Sequence, residues 1–468
     1  MTRAGRLSRE IGIFDATTLV VGSMIGSGIF IVSAESARVV GSAGWLLAAW
    51  AIAGVSTMVA SLCCAELAAM LPRAGGQYVF FREAYGPLFG FLFGWTLFLV
   101  VQSGTIAAVA VAFAKYLGVL WPAVSGSRRL LAAGPFSVSA VQGVAILVIL
   151  TLTASNATGL KTGTRTQNAF TLAKFAALAG LTGAGLLLGS RSGALSEPGF
   201  FRAQTPSGSA LTGFALLATL GTAMVGPLFS QSAWNNVTFA GEEIRDPGRT
   251  LPRALLSGCA VVTVLYVAAN VAYLNVLPLS GVQHAPEDRV ATAAATSLFG
   301  PAAAAAVAAA IMVSTFGCVN GLVLSGARVC FAMARDGLFF RGLERVNRAG
   351  VPGNALWAQA AWSGLLVLSG SYSDLLKYVI SADLLFYVLL VLAVIALRYR
   401  RPDLPRPFRV PGYPILPLAY AAAGIALIGI LLAGNPRTTW PGYALVLTGV
   451  PVFAIWRRRR VASAGGPR

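Results

Sequence analysis

Charged residues are scarce in this sequence. Lysine, arginine, aspartate and glutamate together make up 11% of the 468 residues, whereas hydrophobic residues make up 56%. About a quarter of the residues of an ordinary soluble domain are charged. The composition therefore excludes a water-facing surface over a chain of this length, and with it a soluble enzyme.

Histidine and cysteine are also rare. His284, the only histidine, falls in a predicted loop, which argues against acid–base or metal chemistry carried by histidine. The five cysteines all fall within apolar segments, where neither a disulfide framework nor a metal-ligand spacing is visible. We therefore expect no metal and no cofactor. A membrane-embedded enzyme is disfavoured as well, because no Ser-Lys dyad stands at a suitable spacing.

Acidic residues, 16 in number, are outnumbered by 35 basic residues, and the formal net charge is +19. By itself this charge is compatible with a nucleic-acid-binding protein. With the N-terminus placed inside, however, most lysines and arginines fall in predicted cytoplasmic segments, as the positive-inside rule describes. The charge thus predicts orientation in the membrane, with both termini cytoplasmic, and no nucleic-acid partner.

Twelve apolar segments predict an all-α polytopic membrane protein, since about 20 apolar residues suffice for one membrane helix. Short stretches containing proline and glycine separate them and leave no room for a soluble domain. Residues 1–10 form the predicted cytoplasmic N-terminal segment, and residues 458–468 a basic cytoplasmic tail that we expect to be disordered on the inner leaflet. The predicted spans are 11–39, 45–71, 87–118, 137–155, 166–189, 211–244, 251–277, 301–333, 355–372, 376–397, 413–434 and 441–457.

Spans one and six contain residues that weaken a helix. Residues 22–28 read GSMIGSG, and each glycine costs about 1 kcal/mol relative to alanine inside a helix. Span six contains Gly226-Pro227 followed by the polar run LFSQSAWNN. Unpaired backbone in hydrocarbon costs several kcal/mol per group, so such interruptions persist only where they line a cavity or are buried in protein. The alternative is that these residues serve close packing and kinks alone.

Two interrupted helices five spans apart are typical of an inverted-repeat transporter with its substrate between the breaks. The repeats would be residues 11–189 and 211–397. Amide groups after the first break, around Gly26, Ser27 and Gly28, favour an anionic group. Carbonyl groups before it, around Ser23 and Met24, favour a cation. A zwitterion with adjacent carboxylate and ammonium groups fits this pair.

Six motifs carry a resemblance to a known family. They are VGSMIGSGIF (21–30), PRAGGQYVFFREAYGPLFGFLFGW (72–95), NATGLKTGTRTQNAFTLAK (156–174), WNNVTFAGEEIRDPGRTLPRA (234–254), STFGCVNG (314–321) and LRYRRPDLPRPFRVP (397–411). In this order, over nearly the whole chain, they resemble the amino acid-polyamine-organocation superfamily, and the L-type amino acid transporters in particular.

The resemblance implies the LeuT-like fold, with two inverted five-helix repeats, discontinuous helices one and six, and two C-terminal helices at 413–457. It also implies alternating access and a set of site residues. The substrate-binding residues would be Ser23, Met24, Gly26, Ser27, Gly28, Phe229, Ser230, Ser232 and Asn235, with Phe229 as the aromatic gate. Ser232-Ala233 replaces the glycine-containing pair of many relatives, which indicates a changed pocket volume.

Three further residues are candidates for transport. Lys174, well inside span five, stands where sodium-coupled relatives keep a sodium ion, so the resemblance implies sodium independence; the alternative is a lysine that reaches an interface. Asp383, among apolar neighbours in span ten, would need a proton or a cationic ligand to neutralise it. It is a candidate for the side-chain pocket or, equally, a carboxylate at a helix-packing junction. Cys318 in span eight is the other pocket candidate.

The sequence therefore predicts a sodium-independent amino acid transporter that exchanges neutral L-amino acids. Proton-coupled uptake of a cationic amino acid, an amine or a polyamine is the alternative, and an amino acid sensor without turnover a remote one. Animal L-type members attach a partner through a cysteine in the loop between spans three and four. Residues 120–136 contain none. We expect a protein of the bacterial inner membrane without a disulfide-linked subunit, whose partners are its substrate and the bilayer.

Overall fold

The computed structural model describes residues 11–73, 75–133, 136–158, 164–189, 192–203, 210–347, 351–369, 372–434 and 436–464. The predicted N-terminal segment, the end of the predicted tail and part of the 156–174 motif lie outside these residues. Within them, eleven helices are long and apolar enough to cross a membrane. The chain is thus a multi-pass helical membrane protein.

The described residues of the first half form nine helices, and some of these helices divide one predicted span between them. A π-helical segment, Leu97–Gln102, joins α6 to α7. The helices are α1 (Ile13–Met24), α2 (Gly28–Ile31), α3 (Ser33–Val40), α4 (Ala43–Met70), α5 (Gln77–Tyr85), α6 (Pro87–Thr96), α7 (Ser103–Leu120), α8 (Ala140–Ala157) and α9 (Thr164–Leu188).

In the second half, the part of the chain that the structure describes forms ten α-helices and a 3-10 helix, Trp234–Glu243, that completes span six. Two shorter 3-10 segments, Pro286–Asp288 and Arg341–Glu344, lie in connections. The α-helices are α10 (Gly213–Ala223), α11 (Val225–Ser230), α12 (Pro247–Val276), α13 (Leu279–Gln283), α14 (Val290–Phe299), α15 (Pro301–Arg335), α16 (Gly353–Ser369), α17 (Tyr372–Arg400), α18 (Ile415–Gly434) and α19 (Pro436–Ala464).

Helix α16 occupies the predicted ninth span but is short. Its 17 residues extend about 25 Å, less than the hydrocarbon thickness of about 30 Å. In its first turn, the Asn354 side-chain amide donates to the Gly342 carbonyl, in the connection after α15, at 2.8 Å. Near its other end, the Val367 carbonyl accepts from Gln142 at the start of α8 at 3.0 Å.

Two features differ from the sequence prediction. Strands β1 (Arg129–Ala133) and β2 (Phe136–Ser139) form an antiparallel hairpin between α7 and α8, so the chain is not wholly helical. Helix α19 continues to Ala464, which includes residues that we predicted as part of a disordered tail. A helix can extend past the apolar segment because its backbone hydrogen bonds are internal.

We call the face of the bundle at which α1 begins the near face, and the opposite face the far face. On the near face, the Tyr78 phenol donates to the Asp336 carboxylate at 2.8 Å, and Arg82 pairs with the same carboxylate at 3.3 Å. Burial raises the pKa of Tyr78 above its usual value, so this phenol keeps its proton and remains a donor even in alkaline solution. These bonds join α5 to the end of α15.

Helix α12 lies between α1 and α4. Gly258 of α12 faces Val20 of α1, and Gly54 of α4 faces Thr263 of α12, at distances that leave no room for an added methyl group. Small residues at such contacts let helix backbones approach closely in a membrane. This packing places α12 directly behind the interrupted parts of spans one and six.

Candidate functional site

Span one is interrupted where its glycines predicted. Helix α1 ends at Met24, α2 begins at Gly28, and Ile25 between them has the non-helical backbone angles φ −72° and ψ 86°. The Gly26 amide bonds to the Met24 carbonyl at 2.8 Å, two residues back instead of four. The break is therefore a tight turn.

Span six is interrupted after Ser230, within the predicted stretch 226–236, although Gly226-Pro227 itself lies before the break. Both residues lie within the first turn of α11, where a missing amide is tolerated. The break follows at residues 231–233, and Ala233 has a left-handed φ of 66°, which is uncommon outside glycine.

Pro227 nevertheless has a structural role. It has no amide to donate to the Ala223 carbonyl, four residues back. That carbonyl accepts instead from the Ser36 hydroxyl of α3, at 2.8 Å. The proline thus leaves an acceptor that joins span six to the second half of span one.

The two interrupted segments lie against each other. A Cβ atom added to Gly28 would stand 2.9 Å from the Cα of Ser230, and one added to Gly226 would stand 2.7 Å from the Cβ of Val32. Such distances are shorter than real Cβ contacts, so glycine is required at both positions. The predicted proximity of the two breaks is confirmed.

A cavity of about 230 Å³ extends from the near face to the break of span one. One buried water needs roughly 10–15 Å³ of such space, so the cavity can hold a small organic molecule. It is lined by Ile11, Asp15, Leu19, Gly22, Ser23, Asn168, Asn236, Phe239, Ala240, Glu243, Gly317, Cys318, Asn320, Gly321, Leu322 and Ser325. Ser23 and Cys318 are therefore the two predicted site residues that line it.

Lys174 lies beside this break. Its side chain is 6% exposed, and its ammonium group donates to the Gly22 carbonyl. Its helix, α9, packs on both α1 and α15. This lysine therefore does not reach an interface but joins α9 to span one next to span eight.

Met24 differs from the prediction that its carbonyl is free for a cation. That carbonyl accepts two hydrogen bonds, from the Gly26 amide at 2.8 Å and from the Tyr266 hydroxyl at 2.8 Å. Tyr266 belongs to α12, far away in sequence, so local sequence could not indicate it. Met24 does not line the cavity, whereas the adjacent Ser23 does.

The remaining span-one candidates lie deeper. Ser27 is 1% exposed, and Gly28 is buried against Ser230. Gly26 faces Cys318: an added Cβ would stand 3.5 Å from the sulfur. These residues lie past the lining of the 230 Å³ cavity.

The span-six candidates are buried and bonded to their own segment. The Phe229 carbonyl accepts from the Ser232 amide at 3.1 Å and from its hydroxyl at 2.7 Å, and the Ser230 hydroxyl donates to the Gly226 carbonyl at 2.9 Å. Phe229 itself is 5% exposed. None of these three predicted residues lines the 230 Å³ cavity.

Asn235 and Asp383 also point elsewhere. The Asn235 amide donates to the Gln77 side chain of α5 at 2.6 Å, and the adjacent Asn236 lines the cavity instead. Asp383 is bonded to the Tyr387 hydroxyl, and the Tyr387 ring stacks on Trp234 at 5.5 Å between centroids. Asp383 thus lies behind span six and away from the cavity.

Sequence reasoning missed a polar contact between α9 and α1. The Asn168 amide donates to the Asp15 carboxylate at 2.7 Å, and its oxygen accepts from Thr18 at 2.6 Å. Asn168, Thr171 and Lys174 recur every three residues, so they share one helix face. That spacing was the available signal, because polar residues in a membrane helix seldom face lipid.

Comparison with known proteins agrees with this architecture. Residues 11–452 match the family model described as amino acid permease. Asc-type amino acid transporter 1 of Homo sapiens is 31% identical over 466 residues, which are 97% of this chain and 84% of the relative. The serine/threonine exchanger SteT of Bacillus subtilis (strain 168) is 30% identical over 465 residues, which are 98% of this chain and 100% of the relative.

A third relative is the large neutral amino acids transporter small subunit 2 of Homo sapiens. It is 31% identical over 460 residues, which are 96% of this chain and 80% of the relative. The sequence resemblance to L-type transporters is thereby confirmed, and the protein is a transporter and not an enzyme. The chain belongs to the amino acid permease family.

Proposed function

We propose that this protein exchanges neutral L-amino acids across a membrane by alternating access, without sodium. The observation that carries the proposal is a cavity from the near face that ends at the interrupted part of span one. Interrupted helices at mid-membrane depth are where transporters of this kind bind substrate. The names of the relatives, a serine/threonine exchanger among them, support an amino acid as the substrate.

The proposed substrate site is the region where the cavity meets both breaks. Amides at the start of α2 would receive the carboxylate, since the first amides of a helix lack intrahelical acceptors. The ammonium group would be received near Ser23, because the neighbouring Met24 carbonyl is already doubly bonded. Phe229, Ser230 and Ser232 would contribute once span six moves, with Phe229 as the gate.

The proposed architecture is twelve spans in two inverted repeats, residues 11–189 and 211–397, followed by two further helices. Two observations support it. Each proposed repeat begins with an interrupted helix. Helix α16, though short, is bonded to a connection after α15 at one end and to the start of α8 at the other. That arrangement is consistent with a ninth crossing.

Sodium independence is supported by Lys174. Its ammonium group donates a hydrogen bond to the Gly22 carbonyl beside the break. That oxygen would otherwise be available as a ligand for a sodium ion. A fixed cation at this position would disfavour a second one nearby.

A second candidate function is proton-coupled uptake of a cationic substrate. Asp15 and Glu243 line the cavity, and acidic groups at a cavity entrance attract cations. The buried Asp383 carboxylate is not in the cavity, which favours a packing or proton-binding role for it over side-chain recognition.

The deciding experiment is uptake of radiolabelled serine, leucine and arginine into proteoliposomes of the purified protein. Exchange predicts uptake that requires unlabelled internal amino acid and is unchanged when sodium is replaced by choline. Proton coupling predicts accumulation driven by an inward pH gradient with empty vesicles. If the protein binds an amino acid but no condition produces uptake, the protein is a sensor.

We further propose that the protein resides in the inner membrane of a bacterium, with the near face cytoplasmic. The concentration of basic residues in near-face connections supports this orientation. We propose that it works without a disulfide-linked subunit, since all five cysteines are buried and none lies in the connection between α7 and α8.

A further inference from the structure

Helix α12 presents three polar residues on one face. Thr263, Tyr266 and Asn270 follow the spacing i, i+3, i+7, which places them on the same side of a helix. Tyr266 and Asn270 are 0% exposed. Polar groups buried in a membrane protein need partners, so the partners of this polar stripe indicate its role.

Two members of the polar stripe contact the interrupted segments directly. The Tyr266 hydroxyl donates to the Met24 carbonyl, at the end of α1, at 2.8 Å. The Thr263 hydroxyl donates to the side-chain oxygen of Gln231, in the break of span six, at 3.0 Å. One turn of one helix therefore contacts both breaks.

The third member contacts the other half of span one. The Asn270 side-chain oxygen accepts from the Ser33 hydroxyl, at the start of α3, at 2.6 Å. The Asn270 amide donates to the Tyr266 carbonyl at 2.8 Å, which fixes the orientation of the side chain. Met24 and Ser33 lie on opposite sides of the first break, yet both are bonded to α12.

We propose that the polar stripe of Thr263, Tyr266 and Asn270 positions the two interrupted segments and sets the angle between the halves of span one. Because α12 is continuous, α3 cannot turn relative to α1 unless a bond to the stripe is lost. Helix α1 also packs closely on Gly258 of α12. The Ser33–Asn270 bond is therefore the one that breaks when the far half of span one moves.

This inference rests on the proposed alternating-access function, but it has a readout that does not require transport. Hydrogen–deuterium exchange of the purified protein reports the opening of residues 24–36. Loss of one hydrogen bond of ordinary strength corresponds to about two- to tenfold faster exchange. We expect such an increase in Y266F and in S33A.

The chain offers matched controls. Tyr273, also on α12, is buried and its hydroxyl meets no partner among the described residues; the same holds for the Ser363 hydroxyl. Y273F and S363A delete the same atoms without deleting a bond, so deuterium uptake at residues 24–36 should stay at the wild-type rate. If Y266F is not recovered as folded protein, comparing the deuterium uptake of S33A with that of S363A provides the same test.

Amino acid exchange supplies the second readout. In a wild type that transports, Y266F and S33A should lower turnover about tenfold relative to their controls. Deuterium uptake equal to that of the controls, or unchanged turnover, would overturn the inference. Absence of transport in the wild type, with faster deuterium uptake in Y266F, would contradict the proposed function and still support the stripe.

Discussion

At the residue scale, Gly28 lies where the two interrupted segments touch. An added methyl group would press on the backbone of Ser230, at 2.9 Å from its Cα, and backbone cannot move aside as a flexible side chain can. We predict that Gly28→Ala separates the segments and abolishes amino acid uptake in proteoliposomes. Gly180→Ala on α9 is the control, since no described atom outside the neighbouring backbone of α9 lies within 4 Å of the added methyl group. Uptake by Gly28→Ala at the Gly180→Ala rate would refute the proposed contact.

Substitution of Lys174 should affect transport more than folding. Lys174→Ala removes the donor to the Gly22 carbonyl and the cation beside the break. We expect exchange to fall at least about tenfold while the protein remains monodisperse in detergent, because a buried ammonium group is expensive to keep. Thr182→Val, on the same helix, removes a buried hydroxyl without a described partner and should exchange normally. Normal exchange by Lys174→Ala would contradict this role.

At the element scale, the near ends of α4 and α17 are joined by a buried ion pair. Arg398 donates to both oxygens of Glu66, at 2.8 and 2.6 Å, and the Val410 amide donates to the same carboxylate at 2.7 Å. Glu66 is 1% exposed, so its carboxylate depends on these donors in place of water.

We predict that Glu66→Ala lowers the free energy of unfolding by about 3–5 kcal/mol, because it leaves a guanidinium group and an amide without their acceptor. The measurement is thermal or denaturant unfolding of the detergent-solubilised protein. Glu83→Ala is the control: its ion pairs are longer, at 3.7–3.9 Å, and more exposed. It should cost less than about 1 kcal/mol. If both variants lose the same free energy of unfolding, the Glu66 ion pair stabilises the protein no more than an exposed pair does.

The interruptions were predictable from sequence because their cause is local. Glycines weaken a helix wherever it is packed, so residues 22–28 indicated the first break. The proline was a poorer guide, because its effect depends on its position within the helical turn, and the span-six break follows at residues 231–233. Partners such as Tyr266 for Met24 and Gln77 for Asn235 could not be predicted, since they depend on how distant helices pack.

At the scale of the whole molecule, the two faces differ. The near face has the cavity, whereas on the far face Glu35 of α3 pairs with Lys377 of α17 at 2.9 Å and Arg38 pairs with Asp288 at 2.8 Å. These pairs join the second half of span one to span ten and to the connection after α13. The described structure thus has its cavity on the near face and ion pairs that join these elements on the far face.

We predict that Glu35→Lys and Lys377→Glu each slow exchange at least about tenfold, because like charges then meet when the far face closes. The double variant E35K/K377E restores the attraction and should recover most of the rate, as expected for coupled sites. Radiolabelled exchange in proteoliposomes provides the measurement. A double variant no better than either single variant would show that the pair does not assist closure.

The hydrogen bond between Ser36 and the Ala223 carbonyl shows that Pro227 helps to join two helices and does not only interrupt one. Hydrocarbon offers no hydrogen-bond donor. The Ala223 carbonyl, which lacks an amide partner because residue 227 is proline, therefore accepts a hydrogen bond from Ser36 of α3. An ordinary residue at position 227 would bring its own amide and compete with the serine for that oxygen. Restoring an amide at position 227 would therefore weaken the hydrogen bond that joins span six to the second half of span one.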